Sequence, residues 1–173
     1  MIYILHATGG GPIKIGNSYL PEHRKSGVGQ LFPYGVDLLA KFDGEWIGEK
    51  FLHLCFRPLS TTPEWFIAGP AIWRFIIDAI DNGRPSWLPI EERMRGDDIL
   101  DIAVEIFGDD RKRIMRELGF SPFTTFKDTF SASSASSHSI QAKVLFAKAI
   151  RDGSLPPYIA DLHRPADLLE AAE

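Results

Sequence analysis

The 173-residue chain holds one cysteine, Cys55, and five scattered histidines, with no C-x-x-C or H-x-x-x-H pair. That spacing excludes a disulfide framework and a zinc site built on close-set ligands, and a lone Cys inside the apolar run EKFLHLCF reads as core in a reduced compartment. Positive charge is also short. Nineteen Lys and Arg stand against 23 Asp and Glu, a net charge of −4, so no chain-wide basic field draws nucleic acid and any DNA contact has to be local. No apolar run approaches the roughly 18 residues that span a bilayer, and no basic segment precedes the first apolar residues. A cytoplasmic protein that does not enter the membrane is expected. Low complexity is confined to SASSASSHS at 131–139, which reads as a connecting loop with a serine cap for the next helix.

What is present is apolar and aromatic: 45% hydrophobic residues, with 12 Phe and four Trp, enough for one ordinary core or two small ones. Residues 2–8 and 13–18 are short Ile- and Tyr-bearing runs joined through Gly-Gly-Gly-Pro, the pattern of a hairpin. Alternation sets Ile13 and Ile15 on one face and Lys14 and Gly16 on the other. A third strand is expected over 36–42, a helix over 45–56 stopped by Pro58, a short extended piece at 64–67, and a helix from Pro70 to the Asn82-Gly83 pair. GPIKIGNS at 11–18 comes close to a phosphate-binding loop but has Asn17 where that loop needs lysine, so nucleotide binding there is rejected.

These pieces, in this order, carry a resemblance. Ile2-Tyr3-Ile4, Lys14-Ile15-Gly16, Arg24 eight residues on, Glu49 near the start of a helix with His53 four residues later, and Glu64-Trp65-Phe66 together resemble the GIY-YIG nuclease superfamily, most closely its compact phage and bacterial branch with a KIG second motif. The likeness covers about residues 1–82. It implies an α+β fold with a small three-stranded antiparallel sheet flanked by helices, and a metal-dependent DNA endonuclease using Mg2+ or Mn2+. In that reading Tyr3 positions or deprotonates the attacking water, Lys14 and Arg24 contact phosphate, Glu49 holds the metal, and His53 orients the carboxylate or a phosphate. One carboxylate suffices for magnesium, which keeps waters and takes remaining ligands from substrate. Two positions depart from the pattern: Met1 stands for the first glycine and Lys14 for a tyrosine, which places a charge where the family has a neutral group. Glu64 reads as a structural residue holding a turn. The family's downstream asparagine has no clear counterpart, and Asn82 sits in a pair that suits a turn.

Residues 83–96, with two prolines and mixed charge, read as a linker, 97–152 as a small all-α bundle, and 153–173 as an irregular tail. Within the bundle, RKRIMRELGFSPFTTFKDTF at 111–130 is helix-turn-helix-like. Thr124, Thr125 and Lys127 would then face DNA bases, with Arg111, Lys112, Arg113 and Arg116 on backbone phosphate. The Phe spacing after Gly119 runs one place late and acidic residues slightly outnumber basic ones over 97–152, so a packing or dimerisation module stays open. Three overall functions also stay open: a DNA endonuclease with a helical targeting unit, a DNA-binding regulator or phage accessory protein that kept the fold without hydrolysis, and a protein-interaction module in which both halves are scaffolds. Cutting both strands would call for two sites, hence a homodimer.

Overall fold

A computed structural model describes residues 1–89, 92, 94–120 and 137–164. Its first strand, β1 (Ile2–Ala7), is buried along nearly its whole length because both faces of the sheet are covered. Ile2 and Ile4 enter the main core, while Tyr3, Leu5 and Ala7 belong to a second cluster with Val36 on the opposite face. β2 (Ile13–Asn17) runs antiparallel to β1 with Tyr3 opposite Gly16 and Leu5 opposite Lys14. The turn between them needs its glycines. Gly9 and Gly10 take φ of 88° and 85°, and a Cβ on Gly11 would stand 2.7 Å from Ala7 Cβ.

β3 (Val36–Phe42) pairs with the other edge of β1, and β5 (Trp65–Phe66) pairs with β2 and with β4 (Ser60–Thr62). The sheet is therefore five-stranded and antiparallel, in the order β3-β1-β2-β5-β4. This corrects the expected three strands. The extended piece at 64–67 does not stand alone: it folds with 60–62 into a short hairpin that adds to the outer edge of β2. Two- and three-residue strands carry too little alternation to be read locally.

α1 (Pro21–Gly29) follows β2, then come α2 (Trp46–Cys55) and α3 (Pro70–Asn82). α2 and α3 bury Phe51, Leu52, Ile72, Phe75 and Ile76 against the Ile face of the sheet. Phe56 lies 5.3 Å from Phe75 and 6.3 Å from Phe66, centroid to centroid, closing an aromatic cluster. Cys55 is in this core, and burial pushes its thiol well above the ordinary range, so it is no nucleophile at neutral pH.

The core continues past residue 82. Leu88, Ala142, Leu155 and Ile159 join it, Trp87 packs against it, and Arg84 ties the 83–89 turn by donating to the carbonyl of Pro89 at 2.6 Å. α4 (Gly96–Phe107), α5 (Arg111–Glu117) and α6 (Ser137–Asp152) supply a separate cluster around Ile99, Ile114 and Val144. α6 serves both, since it also packs on α2 with Phe51 and Phe146 5.8 Å apart. Gln141 is buried in the joint, donating to the carbonyl of Glu92 at 2.8 Å and accepting from the amide of Met94 at 3.1 Å. Of the segment 153–173 expected as an irregular tail, the described part forms α7 (Pro157–Ala160) and a 3-10 turn whose His163 Nε2 lies 2.7 Å from the carbonyl oxygen of Cys55.

Asp110 caps α5, accepting from the amides of Lys112 and Arg113 at 2.9 and 3.3 Å. Asp110→Ala is expected to cost about 1 kcal/mol of stability, read from the urea midpoint. α5 ends as the sequence suggests, with Gly119 at φ 67° and the amide of Phe120 bonded back to Met115. The second helix of the expected helix-turn-helix, with Thr124, Thr125 and Lys127, lies outside the described residues. Among the described residues no helix is long and apolar enough to cross a membrane.

Candidate active site

Alternation on β1 and β2 brings Tyr3, Lys14 and Gly16 to one face of the sheet. A Cβ at Gly16 would meet Tyr3 Oη at 2.5 Å and Cζ at 2.6 Å. The glycine of Lys-Ile-Gly thus makes room for the Tyr3 ring directly across the strand pair. Lys14 is 6% exposed, bonds the Glu64 carboxylate, and lies 5.7 Å from the Trp65 ring centre. Glu64 was read from sequence as holding a turn. Register gives it more: Trp65 is the β5 partner of Lys14, so the preceding residue arrives beside the ammonium.

The outer edge of β2 is covered by β5 only as far as Lys14, with the amide of Ile15 bonded to the carbonyl of Glu64 at 3.2 Å. Beyond that point α2 takes over. His53 Nε2 sits 3.0 Å from the carbonyl oxygen of Ile15, so that nitrogen carries the proton and donates. Glu49 lies one turn earlier on the same helix face, its Oε1 3.7 Å from His53 Nε2 and 4.0 Å from Lys50 Nζ. The His53 proton therefore serves the strand edge rather than the carboxylate. Burial, the largest influence, holds the His53 pKa below the usual range, and the ring is neutral at neutral pH.

Glu49 is 2% exposed, and its Oε2 is buried without a hydrogen-bond partner. Burial raises its pKa, with Lys50 pulling it down, Glu64 up and Lys14 down. Tyr3 is also raised, by burial first, against the lowering field of Arg24 and with the raising fields of Glu64 and Glu49. Its hydroxyl stays protonated at neutral pH and is available as a donor rather than as a base. Tyr3, Lys14, Glu49, His53 and Glu64 thus share one neighbourhood. Arg24, on α1, is exposed and has no ion-pair partner among the described residues, but it lies near enough for its charge to reach Tyr3.

The remaining sequence candidates lie elsewhere. Arg111, Lys112, Arg113 and Arg116 are exposed on α5, Arg116 paired with Glu117 at 3.2 Å. Asn82 donates to Asp78 at 2.8 Å on an exposed turn of α3, away from any role at the sheet. No group of three or more His, Cys, Asp or Glu able to hold a metal occurs among the described residues. Among the described residues the fit of a divalent cation therefore rests on Glu49. A buried carboxylate oxygen with no donor is costly, and a hard cation with its own waters is the kind of partner that would satisfy it.

Lys14 gives Glu64 its stability role. The bond to Lys14 holds the Glu64 carboxyl below its ordinary pKa of 4.5, so its stabilisation is present above about that pH and is lost as pH falls through the lower folded-state value. Glu64→Ala leaves a nearly buried ammonium without its carboxylate and is expected to lower stability by about 1.5–3 kcal/mol at neutral pH. The deficit should shrink in acid, measured by urea unfolding across pH.

No family model matches the chain, and no significant match to it is found among curated proteins or among solved structures.

Proposed function

We propose that this chain is a metal-dependent DNA endonuclease of the GIY-YIG type, hydrolysing phosphodiester bonds at the face carrying Tyr3, Lys14 and Gly16. The observation that carries the reading is the unpartnered Glu49 Oε2, buried within the electrostatic reach of Lys14, Glu64 and Tyr3. Glu49 would hold Mg2+ or Mn2+. That ion, when bound, supplies positive charge against the negative charge developing on the phosphoryl oxygens. Lys14 is positioned as a fixed ammonium by Glu64 and supplies a phosphate contact. The Tyr3 hydroxyl orients the attacking water, and Arg24 offers an exposed, planar fork for phosphate oxygens. His53 locks α2 to the strand edge and so fixes where Glu49 stands. The exposed Lys and Arg of α5 add phosphate contacts outside the site.

A second reading, DNA binding without hydrolysis, is favoured by the near-complete burial of Glu49 and by the Lys14–Glu64 pair that neutralises charge at the site. One experiment separates the two. Purified chain is incubated with supercoiled plasmid in Mg2+, in Mn2+ and in EDTA, and binding is measured against salt in parallel. The endonuclease reading expects nicked or linear product in metal only; salt-dependent binding with intact plasmid in every metal leaves the regulator. Equal numbers of nicks on both strands at one position would further indicate a homodimer.

A further inference from the structure

Away from the sheet face, a cavity of about 740 Å³ opens where the two hydrophobic clusters meet. Its walls are Leu54 at the end of α2, Phe107 of α4, Leu118 just beyond α5, and Phe146 of α6. That size and apolar lining fall within the range of small-molecule sites, about 300–1,000 Å³. The polar groups that converge on it include three permanently or ordinarily charged cations, Arg57, Lys143 and Arg151, beside Glu117 and the His163 ring.

Two of those charges are uncompensated among the described residues. Arg151 is paired with Glu105 and Asp152, both at 2.8 Å, and Glu117, the cavity's carboxylate, is itself held by Arg116 at 3.2 Å. Arg57 and Lys143 have no carboxylate partner among the described residues. Lys143 is half-buried, spends one donor on the carbonyl of Leu118 at 2.7 Å, and rests 4.5 Å from the Phe120 ring centre, which leaves donors for a ligand. Burial, and then the neighbouring Arg57 charge, press the Lys143 pKa downward, which is the expected strain of two cations sharing a cavity. An anion between them would relieve both the desolvation and the repulsion.

The geometry points to a binding site for a small amphipathic anion, a carboxylate or phosphate monoester head between Arg57 and Lys143 with an unbranched apolar body along Leu54, Phe107 and Phe146. The site does not depend on the activity assigned to the sheet. It does touch the same helix, because Leu54 directly follows His53.

The test is titration calorimetry of the full chain with sodium decanoate and with decyl phosphate, against 1-decanol and inorganic phosphate. Saturable one-to-one binding of either amphipathic anion is expected, the tighter of the two identifying the head group. Decanol and phosphate should each bind about tenfold or more weakly, and Arg57→Gln, an exposed position whose change leaves the core intact, should weaken the anion about tenfold. Lys143→Met should do the same, with its melting curve recorded to show that it folds. The proposal is overturned if neither amphipathic anion saturates, if phosphate alone binds as tightly, or if a folded Arg57→Gln protein binds unchanged.

Discussion

Glu49→Gln is expected to remove the proposed metal-dependent DNA cleavage, with a rate loss of about 10³-fold or more, while raising the stability of the metal-free protein. The two effects have one cause. Glu49 is held in an environment that disfavours its charge: burial lifts its pKa from the ordinary 4.5, and Oε2 has no donor. A carboxyl with a raised folded-state pKa gives its full stabilisation below the unfolded value and loses it as pH rises through the folded one. At about pH 8 the ionised Glu49 is therefore a burden on the fold, and the neutral isostere relieves it. Urea midpoints in EDTA should be higher for Glu49→Gln than for wild type at about pH 8 and should converge as pH falls toward about 4.5. In the proposed function that cost is returned as metal binding. If Glu49→Gln instead lowers stability at neutral pH and leaves cleavage intact, Glu49 is a packing residue.

Gly16→Ala is the second large effect, although it removes no chemical group. The added Cβ would stand 2.5 Å from Tyr3 Oη, and Tyr3 is 3% exposed, so its ring has no free space to enter. Displacement costs about 1–3 kcal/mol of stability. An ångström of misplacement at a positioning group is worth about 10²-fold in rate, so activity should fall by about that factor. Tyr3→Phe separates the causes: it keeps the ring seated against Gly16, should retain near-wild-type stability, and should lose rate through the missing hydroxyl. Gly16→Ala retaining full activity would show that the Tyr3 ring is not part of the reacting geometry.

How much of this was legible in the sequence depends on how local each feature is. α2 and α3 carry a strong apolar stripe and clear stops at Pro58 and Gly83, and their observed bounds, Trp46–Cys55 and Pro70–Asn82, lie close to the expected ones. α1 escaped because PEHRKSGVG has no apolar face; only Pro21 of it is buried, so periodicity had nothing to register. The core residues Leu88, Leu155 and Ile159 were assigned to linker and tail because their burial comes from joining the main core rather than from a local pattern; the α7 helix that carries Ile159 packs on α3, far away in sequence. Glu49 and His53 were placed on one helix face by their spacing of four, and they are 3.7 Å apart. The part of Glu64 was not readable, since it depends on Trp65 falling opposite Lys14 in a strand pair of two residues. Nor was the path of the His53 proton to Ile15, which depends on where β5 stops along β2.

The central claim is that the unpartnered oxygen of Glu49 is the ligand of a divalent cation at a phosphodiester-cleaving site. Its most direct test is a crystal of the chain with Mn2+ and a short DNA duplex, read by anomalous scattering at the manganese edge. The account predicts a peak within coordination distance of Glu49 Oε2, with a DNA phosphate between it and Lys14, and no such peak in Glu49→Gln crystals. A DNA-bound crystal in which Glu49 stays buried and unliganded, with manganese elsewhere or absent, contradicts it.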